Sequence, residues 1–146
     1  MTAPTFALDS SCMVAAVCSW HEHHARALGE LNRRLNRQEE MVVAAPALIE
    51  TYAVLTRLPA PHRLSADDAL ALIEANFLRG VRSVALDSRS YERLLRGAPA
   101  LEVRGGSTYD AVIAMCAIKA SASVLLTFNE RHFRRYSEEG LEVIVP

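Results

Sequence analysis

The chain has 146 residues, of which 51% are hydrophobic and 23% are charged. That length suits one domain of ordinary size, and the apolar content is too high for a disordered chain. The formal net charge of −1 excludes a nucleic-acid binder whose whole surface is basic, so a site for nucleic acid must be a local patch. We therefore expect one globular domain over residues 1–146.

The cysteines and the hydropathy of the chain bear on its compartment. Cys12, Cys18 and Cys116 form no CxxC pair and lie in apolar surroundings, which is typical of small buried side chains in a reducing compartment. No apolar run approaches the roughly 18 residues that a membrane helix requires. We expect a cytoplasmic protein without a membrane segment.

Short apolar runs alternate with helical patterns along the chain. In chain order the predicted elements are a strand at 5–8, helices at 10–18 and 22–38, a strand at 41–45, helices at 46–58 and 65–80, a strand at 81–86, helices at 88–95 and 107–120, a strand at 124–126, a short helix at 131–136 and a strand at 141–145. Strands joined by helices indicate a mostly parallel sheet covered on both faces.

Three of these helices carry informative patterns. The predicted apolar stripes of the second and third helices are Leu28, Leu31 and Leu35, and Leu48, Tyr52 and Leu55. Glu50 falls on the opposite side of the third helix, which by itself fits a solvated residue. The helix over 107–120 has no polar residue between Ala111 and Ile118, so we expect it to be buried. Ser107 or Thr108 is its predicted cap.

Four polar residues occupy positions where a parallel sheet would place a site. Asp9 and Asn129 follow the first and fourth strands, and Glu50 lies early in the helix after the second strand. Ligands of such sheets bind beyond the carboxyl ends of the strands, so these three residues should share one edge. Asp110 lies in the first turn of its helix, and its distance from that edge depends on the topology.

Each acid also has a purely structural interpretation. Asp9 could cap the helix that follows it, and the positive end of a helix dipole would favour Asp110. However, a carboxylate at the start of a buried helix needs a partner, and a cation shared with Asp9 and Glu50 would supply one. A site built only from oxygen ligands suits Mg²⁺ or Mn²⁺ rather than Zn²⁺.

Four segments of the chain together resemble a known family. They are FALDSS (6–11), ALIETYAVL (47–55), YDAVIA (109–114) and LLTFNERHF (125–133). In this order and spacing they resemble the acidic motifs of PIN domains. The resemblance covers essentially the whole chain, and the small single-domain form is similar to VapC toxins of bacterial toxin–antitoxin pairs.

The resemblance implies a three-layer α/β/α PIN-like fold with a mostly parallel sheet of about five strands. It implies an endoribonuclease that depends on Mg²⁺ or Mn²⁺, a homodimer, and a cognate antitoxin that blocks the site. The catalytic residues would be Asp9, Glu50, Asp110 and Asn129. As a hypothesis, the three acids hold one or two metal ions that activate a water molecule against an RNA phosphodiester.

One departure from the family pattern concerns Asn129, which stands where many members have a fourth acid. An amide oxygen can bind a metal but brings no charge, so a tightly held second metal is in doubt. Ser10 and Thr127 are candidates for contacts with a phosphate or water, although ordinary hydrogen bonds at element ends also explain them. Arg131 and Arg134 are candidates for a basic rim that binds RNA.

The remaining basic groups have simpler interpretations. The arginines of the second helix, Arg26, Arg33, Arg34 and Arg37, fit a solvated face. His21, His23 and His24 lack the spacing of metal ligands on a helix, so we expect a surface or interface role.

Two rival functions remain open on the sequence alone. A Mg²⁺-dependent phosphoacceptor domain would need a lysine after a late strand, but the only lysine, Lys119, falls within the predicted buried helix. A PIN-like domain could also bind RNA or protein without catalysis.

Overall fold

The computed structural model describes residues 3–146; Met1 and Thr2, which belong to the predicted domain, lie outside the described residues. The sheet has five parallel strands in the order β3-β2-β1-β4-β5. The strands are β1 (Thr5–Leu8), β2 (Glu40–Ala44), β3 (Arg82–Val84), β4 (Val124–Leu126) and β5 (Glu142–Ile144). All four strand pairs are parallel, which confirms the predicted sheet.

The helices fall close to their predicted positions. They are α1 (Ser10–Val17), α2 (His24–Asn36), α3 (Ala45–Arg57), α4 (Ala66–Ile73), α5 (Ser88–Gly97), α6 (Gly106–Lys119) and α7 (Glu130–Phe133). Helix α4 continues into a π turn at Glu74–Leu78, and α7 continues into a 3₁₀ helix at Arg134–Glu139.

The helices form two layers, one on each face of the sheet. Right-handed crossovers place α1 to α4 on one face, because β2 and β3 follow β1 in one direction, and α5 to α7 on the other, because β4 and β5 lie on the opposite side. The contacts agree, since α1 packs on α2 and α3, whereas α6 packs on α5 and α7. The predicted three-layer fold is confirmed.

The hydrophobic core follows from this layering. The central strands β2, β1 and β4 are covered on both faces, so their side chains are apolar almost without interruption. Phe6, Leu8, Val42, Leu125 and Leu126 are almost completely buried. Each such side chain contributes about 1.5–3 kcal/mol by leaving water. This core fixes the strand ends that carry the polar residues described below.

The expected apolar stripe of α2 is wrong at two of its three positions. Leu28 and Leu35 are exposed, and the buried face contains Glu30 and Arg34 beside Leu31. The charges are tolerated because the Arg34 guanidinium is paired, with Nε 2.8 Å from Glu30 Oε1 and Nη1 2.9 Å from Glu39 Oε1. Arg34 was expected on a solvated face, and its guanidinium also lies 5.7 Å from the centroid of the Phe6 ring.

The expected stripe of α3 is also displaced. The buried residues are Ala47, Thr51 and Leu55, whereas Tyr52 is exposed. A threonine is accepted inside because its hydroxyl donates to Met13 Sδ at 3.6 Å. Because Leu55 belongs to both the expected and the observed set, the buried face is shifted by less than one residue, or roughly 70°, from the expected orientation. The shift moves Glu50 from the solvated side to the border of the packed face.

Two smaller expectations about α6 are wrong. Neither Ser107 nor Thr108 caps the helix; the N-cap is Gly105, whose φ of 58° is a conformation that glycine adopts without strain. The Ser107 hydroxyl instead donates to the Arg104 carbonyl at 2.7 Å. Lys119 is exposed rather than buried, and its Nζ donates to the carbonyl of Ala85 at 2.8 Å.

The buried ion network gives a test of the fold. Replacing Arg34 with alanine leaves Glu30 and Glu39 without their shared cation, so we expect the free energy of unfolding to fall by about 3–5 kcal/mol. Urea denaturation measures this change. The matched control is Arg33→Ala, because Arg33 pairs with Glu30 from an exposed position and should contribute about 0–1 kcal/mol. Equal losses in the two variants would contradict a buried network centred on Arg34.

Candidate active site

A cavity of about 400 Å³ opens at the carboxyl ends of the strands. Four of the residues that line it are the polar residues singled out in the sequence: Asp9, Glu50, Asp110 and Asn129. The others are Ser10, Ser11, Val14, His21, Glu22, His23, Val54 and Phe128. The structure thus brings all four predicted catalytic residues to one cavity.

The topology explains this convergence. The backbone N–H of Asp9 donates to the Leu126 carbonyl at 3.1 Å, so β1 and β4 end side by side. Helix α3 begins directly after β2, which keeps Glu50 near the same edge. Helix α6 runs back across the sheet to enter β4, so it begins at the carboxyl edge. Asp110 lies in its second turn rather than its first, because the helix begins at Gly106.

Asp9 is almost fully buried and hydrogen-bonded on both carboxylate oxygens. Its Oδ1 accepts from Ser11 Oγ at 2.6 Å and from the Cys12 backbone N–H at 3.1 Å, so Asp9 caps α1 as the structural interpretation proposed. Its Oδ2 accepts from Thr127 Oγ1 at 2.6 Å. Capping and a place at the cavity therefore coexist in one side chain.

The electrostatics of Asp9 are those of an anion without a cation. Burial and, to a smaller extent, the negative charge of Asp110 together raise the pKa of Asp9 to about 6. The hydrogen bonds from Ser11, Thr127 and Cys12 offset only part of this shift. Within residues 3–146, no basic side chain forms an ion pair with Asp9. A positive ion in the cavity would relieve this cost.

Thr127 occupies a position behind Asp9 rather than in the cavity. It is fully buried, and its hydroxyl accepts from the Asn129 backbone N–H at 2.8 Å while donating to Asp9. The Phe128 N–H donates to Ser11 Oγ at 3.1 Å. Because Thr127 does not line the cavity, a role in orienting Asp9 and the segment around Asn129 fits better than the predicted contact with substrate.

Glu50 and Asp110 each have a partner of their own. The hydroxyl of Ser10, which lines the cavity, donates to Glu50 Oε1. His132 Nδ1 lies 2.5 Å from Asp110 Oδ2, which ties α7 to α6. Sequence reasoning missed His132, although the residue lies inside the segment that resembles the closing PIN motif. The contact between Asp110 and His132 depends on how α6 packs against α7, which the sequence pattern alone does not give.

The predicted basic rim is looser than the acidic cluster. Arg131 and Arg134 are exposed and do not line the cavity, and Arg134 Nη2 is 3.4 Å from Glu130 Oε1. In contrast, His21 and His23 line the cavity directly, from the loop that joins α1 to α2. Sequence reasoning assigned these histidines to a surface or interface and did not connect them with the acids.

The donor chemistry of the cavity fits a divalent metal, but the side chains are not collected around one point. Across residues 3–146, no three His, Cys, Asp or Glu side chains already form a group that could hold a metal ion. Glu50 is instead engaged by Ser10, and Asp110 by His132. The carboxylate oxygens are the type that Mg²⁺ and Mn²⁺ prefer. Because the buried carboxylate of Asp9 has no basic partner among the residues that the structure describes, a bound cation would offset the cost of burying its charge.

In the part of the chain that the structure describes, no helix is both long enough and apolar enough to cross a bilayer.

Comparisons with known proteins agree with this geometry. The PIN domain family model matches residues 6–139. Ribonuclease VapC40 of Mycobacterium tuberculosis is 38% identical over 139 residues, which are 92% of this chain and 94% of that protein.

Solved structures share the fold at lower identity. The crystal structure of Mycobacterium tuberculosis VapC20, described as a Sarcin-Ricin loop cleaving toxin, has a TM-score of 0.68 at 17% identity and covers 89% of this chain and 94% of its own. VapBC2 from Rickettsia felis, bound to a DNA fragment from its promoter, has the same TM-score and identity and covers 97% of this chain and 98% of its own.

The raised pKa of Asp9 predicts how stability depends on pH when metal is absent. The folded state holds the Asp9 proton up to about pH 6, whereas the unfolded chain loses it near pH 4. The contribution of Asp9 is therefore fully present below about pH 4 and is lost as the pH rises through 6. We expect this residue to lower the free energy of unfolding by about 3 kcal/mol over that range.

Urea denaturation in EDTA between pH 4 and 7 measures this loss. Asp9→Asn should lack it, since the amide does not titrate. Glu142→Gln, an exposed change on β5, should instead follow the wild type. A wild-type curve parallel to that of Asp9→Asn would show that Asp9 is not the buried proton acceptor described above.

Proposed function

The chain belongs to the PIN-domain family and is a ribonuclease of the VapC type, and from this premise we propose that it hydrolyses RNA with divalent metal held by Asp9, Glu50 and Asp110. PIN-domain ribonucleases are generally dependent on divalent metals. Mg²⁺ is the ion we propose here, with Mn²⁺ as a substitute, because the three side chains offer only carboxylate oxygens. Membership of this family excludes the phosphoacceptor alternative.

One observation carries the proposal. Asp9 is buried without a cation at the edge where Asp110 and Glu50 line the same cavity. Three carboxylates around one cavity repel one another, and the arrangement is stabilised only if positive charge enters. This favours a metal site over a capping role alone, because a cap requires neither burial nor two neighbouring acids.

The chain's own residues prepare the site in two ways. Thr127 and Ser11 donate to opposite oxygens of Asp9 and keep the carboxylate turned towards the cavity. His132 holds Asp110 from the α7 side, and Ser10 holds Glu50. When bound, a divalent ion supplies water activation and neutralises charge on the phosphate. A side-chain nucleophile is not required, and each of these hydroxyls donates to a carboxylate, Ser10 to Glu50 and both Ser11 and Thr127 to Asp9.

Asn129 is the fourth member of the proposed catalytic set. It lines the cavity beside the acids, and its backbone is held there because its N–H donates to the Thr127 hydroxyl. Its amide supplies a carbonyl oxygen without charge. We propose that Asn129 assists a single tightly bound ion, and that a second ion binds weakly.

Partners follow from the family and from the surface. We propose a VapB-type antitoxin and a homodimer, with RNA as substrate and Arg131 and Arg134 as outer phosphate contacts. Several large apolar side chains provide surface for protein contacts, and their exposed fractions lie between 61% and 73%. They are Ile49, Leu95, Leu101 and Tyr109. The likeness to VapBC2 supports a toxin fold that assembles with a second protein.

The activity is tested with purified, antitoxin-free protein and a mixed pool of structured RNA in Mg²⁺, in Mn²⁺ and in EDTA. We expect cuts at discrete sites that require metal. Asp110→Asn should abolish cleavage, a loss of at least about 100-fold, because it removes a charge from the ion site while keeping the shape of the side chain.

Two measurements make this test decisive. Circular dichroism checks that Asp110→Asn is folded, and Glu92→Gln, an exposed change on α5, should cleave like the wild type. A folded Asp110→Asn protein with wild-type activity would contradict the assignment of Asp110.

The amide at position 129 gives a second test of the metal site. Asn129→Asp adds a negative charge to the cavity, which contributes about 2 kcal/mol to the binding of a divalent ion about 4 Å away even at the dielectric constant of water. The Mg²⁺ concentration for half-maximal cleavage should therefore fall by roughly 30-fold. Asn129→Ala, which removes the oxygen ligand, should raise it. If both variants need the same Mg²⁺ concentration as the wild type, residue 129 does not contact the ion.

A further inference from the structure

A continuous row of rings leads from the surface to the acidic cavity. His62 stacks on Trp20 with ring centroids 4.1 Å apart and planes 20° apart. Trp20 is followed by His21 at 5.7 Å, His21 by His23 at 5.6 Å, and His23 stacks on Phe128 at 4.4 Å and 16°. These five side chains are called the aromatic row below.

The inner end of the aromatic row is part of the cavity wall. His21, His23 and Phe128 line the same cavity as Asp9, Glu50 and Asp110. The Arg26 guanidinium lies 5.6 Å from the centroid of the Phe128 ring and adds a positive charge at this end. Towards the outer end the row is accessible to solvent, since Trp20 is 45% exposed although His62 stacks on it. The row thus connects solvent to the site of chemistry.

The loop that carries Trp20, His21 and His23 is held in shape by its own backbone. The His21 N–H donates to the Cys18 carbonyl at 2.9 Å, and the His24 N–H donates to the His21 carbonyl at 3.0 Å. The His23 N–H donates to His21 Nδ1 at 3.0 Å, which fixes the ring of His21. A preorganised wall of rings binds a flat ligand with less loss of conformational entropy than a mobile one.

The flat aromatic and imidazole rings of the row indicate which kind of ligand it would bind. We propose that the aromatic row binds the bases of a single-stranded RNA segment next to the phosphodiester that is cut, with Trp20 as the outer stacking platform. The inference rests on the proposed function, which brings RNA to the adjacent acids. Unpaired bases stack on aromatic and histidine side chains, whereas paired bases are hidden inside a helix.

The charge of His21, in the middle of the aromatic row, favours bases rather than phosphates as the ligand there. Burial and the neighbouring His23 lower the pKa of His21, so its ring is neutral at physiological pH. A neutral ring beside three acids offers a flat face and one N–H donor, but little attraction for a phosphate. The RNA backbone would instead be neutralised by metal at the acids and by Arg26 at the Phe128 end.

Trp20 is the only tryptophan of the chain, so its fluorescence reports on the row directly. The experiment uses the Asp110→Asn protein in Mg²⁺, to prevent cleavage, and a 12-nucleotide single-stranded RNA of mixed sequence. We expect saturable quenching of the Trp20 emission. An abasic ribose-phosphate oligomer of the same length, and a 12-base-pair RNA duplex, should quench much less. RNA binding that leaves the emission unchanged would overturn the proposal.

Variants of Trp20 measure the contribution to affinity, by fluorescence anisotropy of labelled RNA in the same background. Loss of one stacked base corresponds to a roughly 5- to 150-fold rise in Kd, which we expect for Trp20→Leu. Trp20→Phe, which keeps a ring, should recover most of the affinity. Tyr91→Leu, a similarly exposed aromatic position on α5, should leave Kd unchanged. Equal Kd values for Trp20→Leu and the unmodified background would overturn the proposal.

Cleavage by the otherwise wild-type enzyme separates this inference from the proposed function. We expect Trp20→Leu to raise KM and to change kcat little, because Trp20 lies outside the acidic cluster. If the wild type cuts RNA and Trp20→Leu has the same KM, the ribonuclease stands and the row as an RNA subsite is refuted. If Trp20→Leu weakens only antitoxin binding, the row is a protein interface and the proposal is also refuted.

Discussion

The hydrogen-bonded carboxylate of Asp9 is the constraint on which the rest of the site depends. It joins the end of β1 to the start of α1 through Cys12, and to the end of β4 through Thr127. The same side chain is therefore a helix cap, a link between central strands and an acid of the cavity. Its burial raises its pKa to about 6, so the fold accepts a cost at this point that positive charge would remove. Burying the Asp9 carboxylate lowers the stability of the fold but places an acid at the cavity, a conflict that is common at functional sites.

The parallel topology explains why the other acids come to Asp9. Helix α3 begins directly after β2, and α6 returns across the sheet to enter β4, so both helices begin at the edge where the strands end. Glu50 on α3 and Asp110 on α6 approach from opposite faces of the sheet and meet over the ends of β1 and β4. The local sequence around Glu50 or Asp110 does not specify that the two residues line one cavity. It follows from the strand order, which places β4 beside β1 although 115 residues separate Leu8 from Val124.

The sequence was informative wherever one physical signal dominated. Apolar runs identified the strands, and the family motifs identified the four residues that now line one cavity. Prediction failed where partners decide the environment. Arg34 is tolerated inside because Glu30 and Glu39 pair with it, and Thr51 is tolerated on the buried face of α3 because its hydroxyl donates to the sulfur of Met13. Such pairings join residues that a helical wheel treats separately, so hydrophobic periodicity alone misassigned both faces.

The acids and the aromatic row occupy parts of the fold with different freedom to change. Asp9, Glu50 and Asp110 lie at the ends of core elements, where a substitution disturbs caps and buried hydrogen bonds as well as chemistry. Trp20 and His21 lie on a surface loop between α1 and α2, whose residues can vary without altering the sheet. A fold of this kind can keep the same cleavage chemistry while changes in its loops alter which RNA it recognises. Target preference in this chain would then be decided by the wall of rings beside the metal site rather than by the acids themselves.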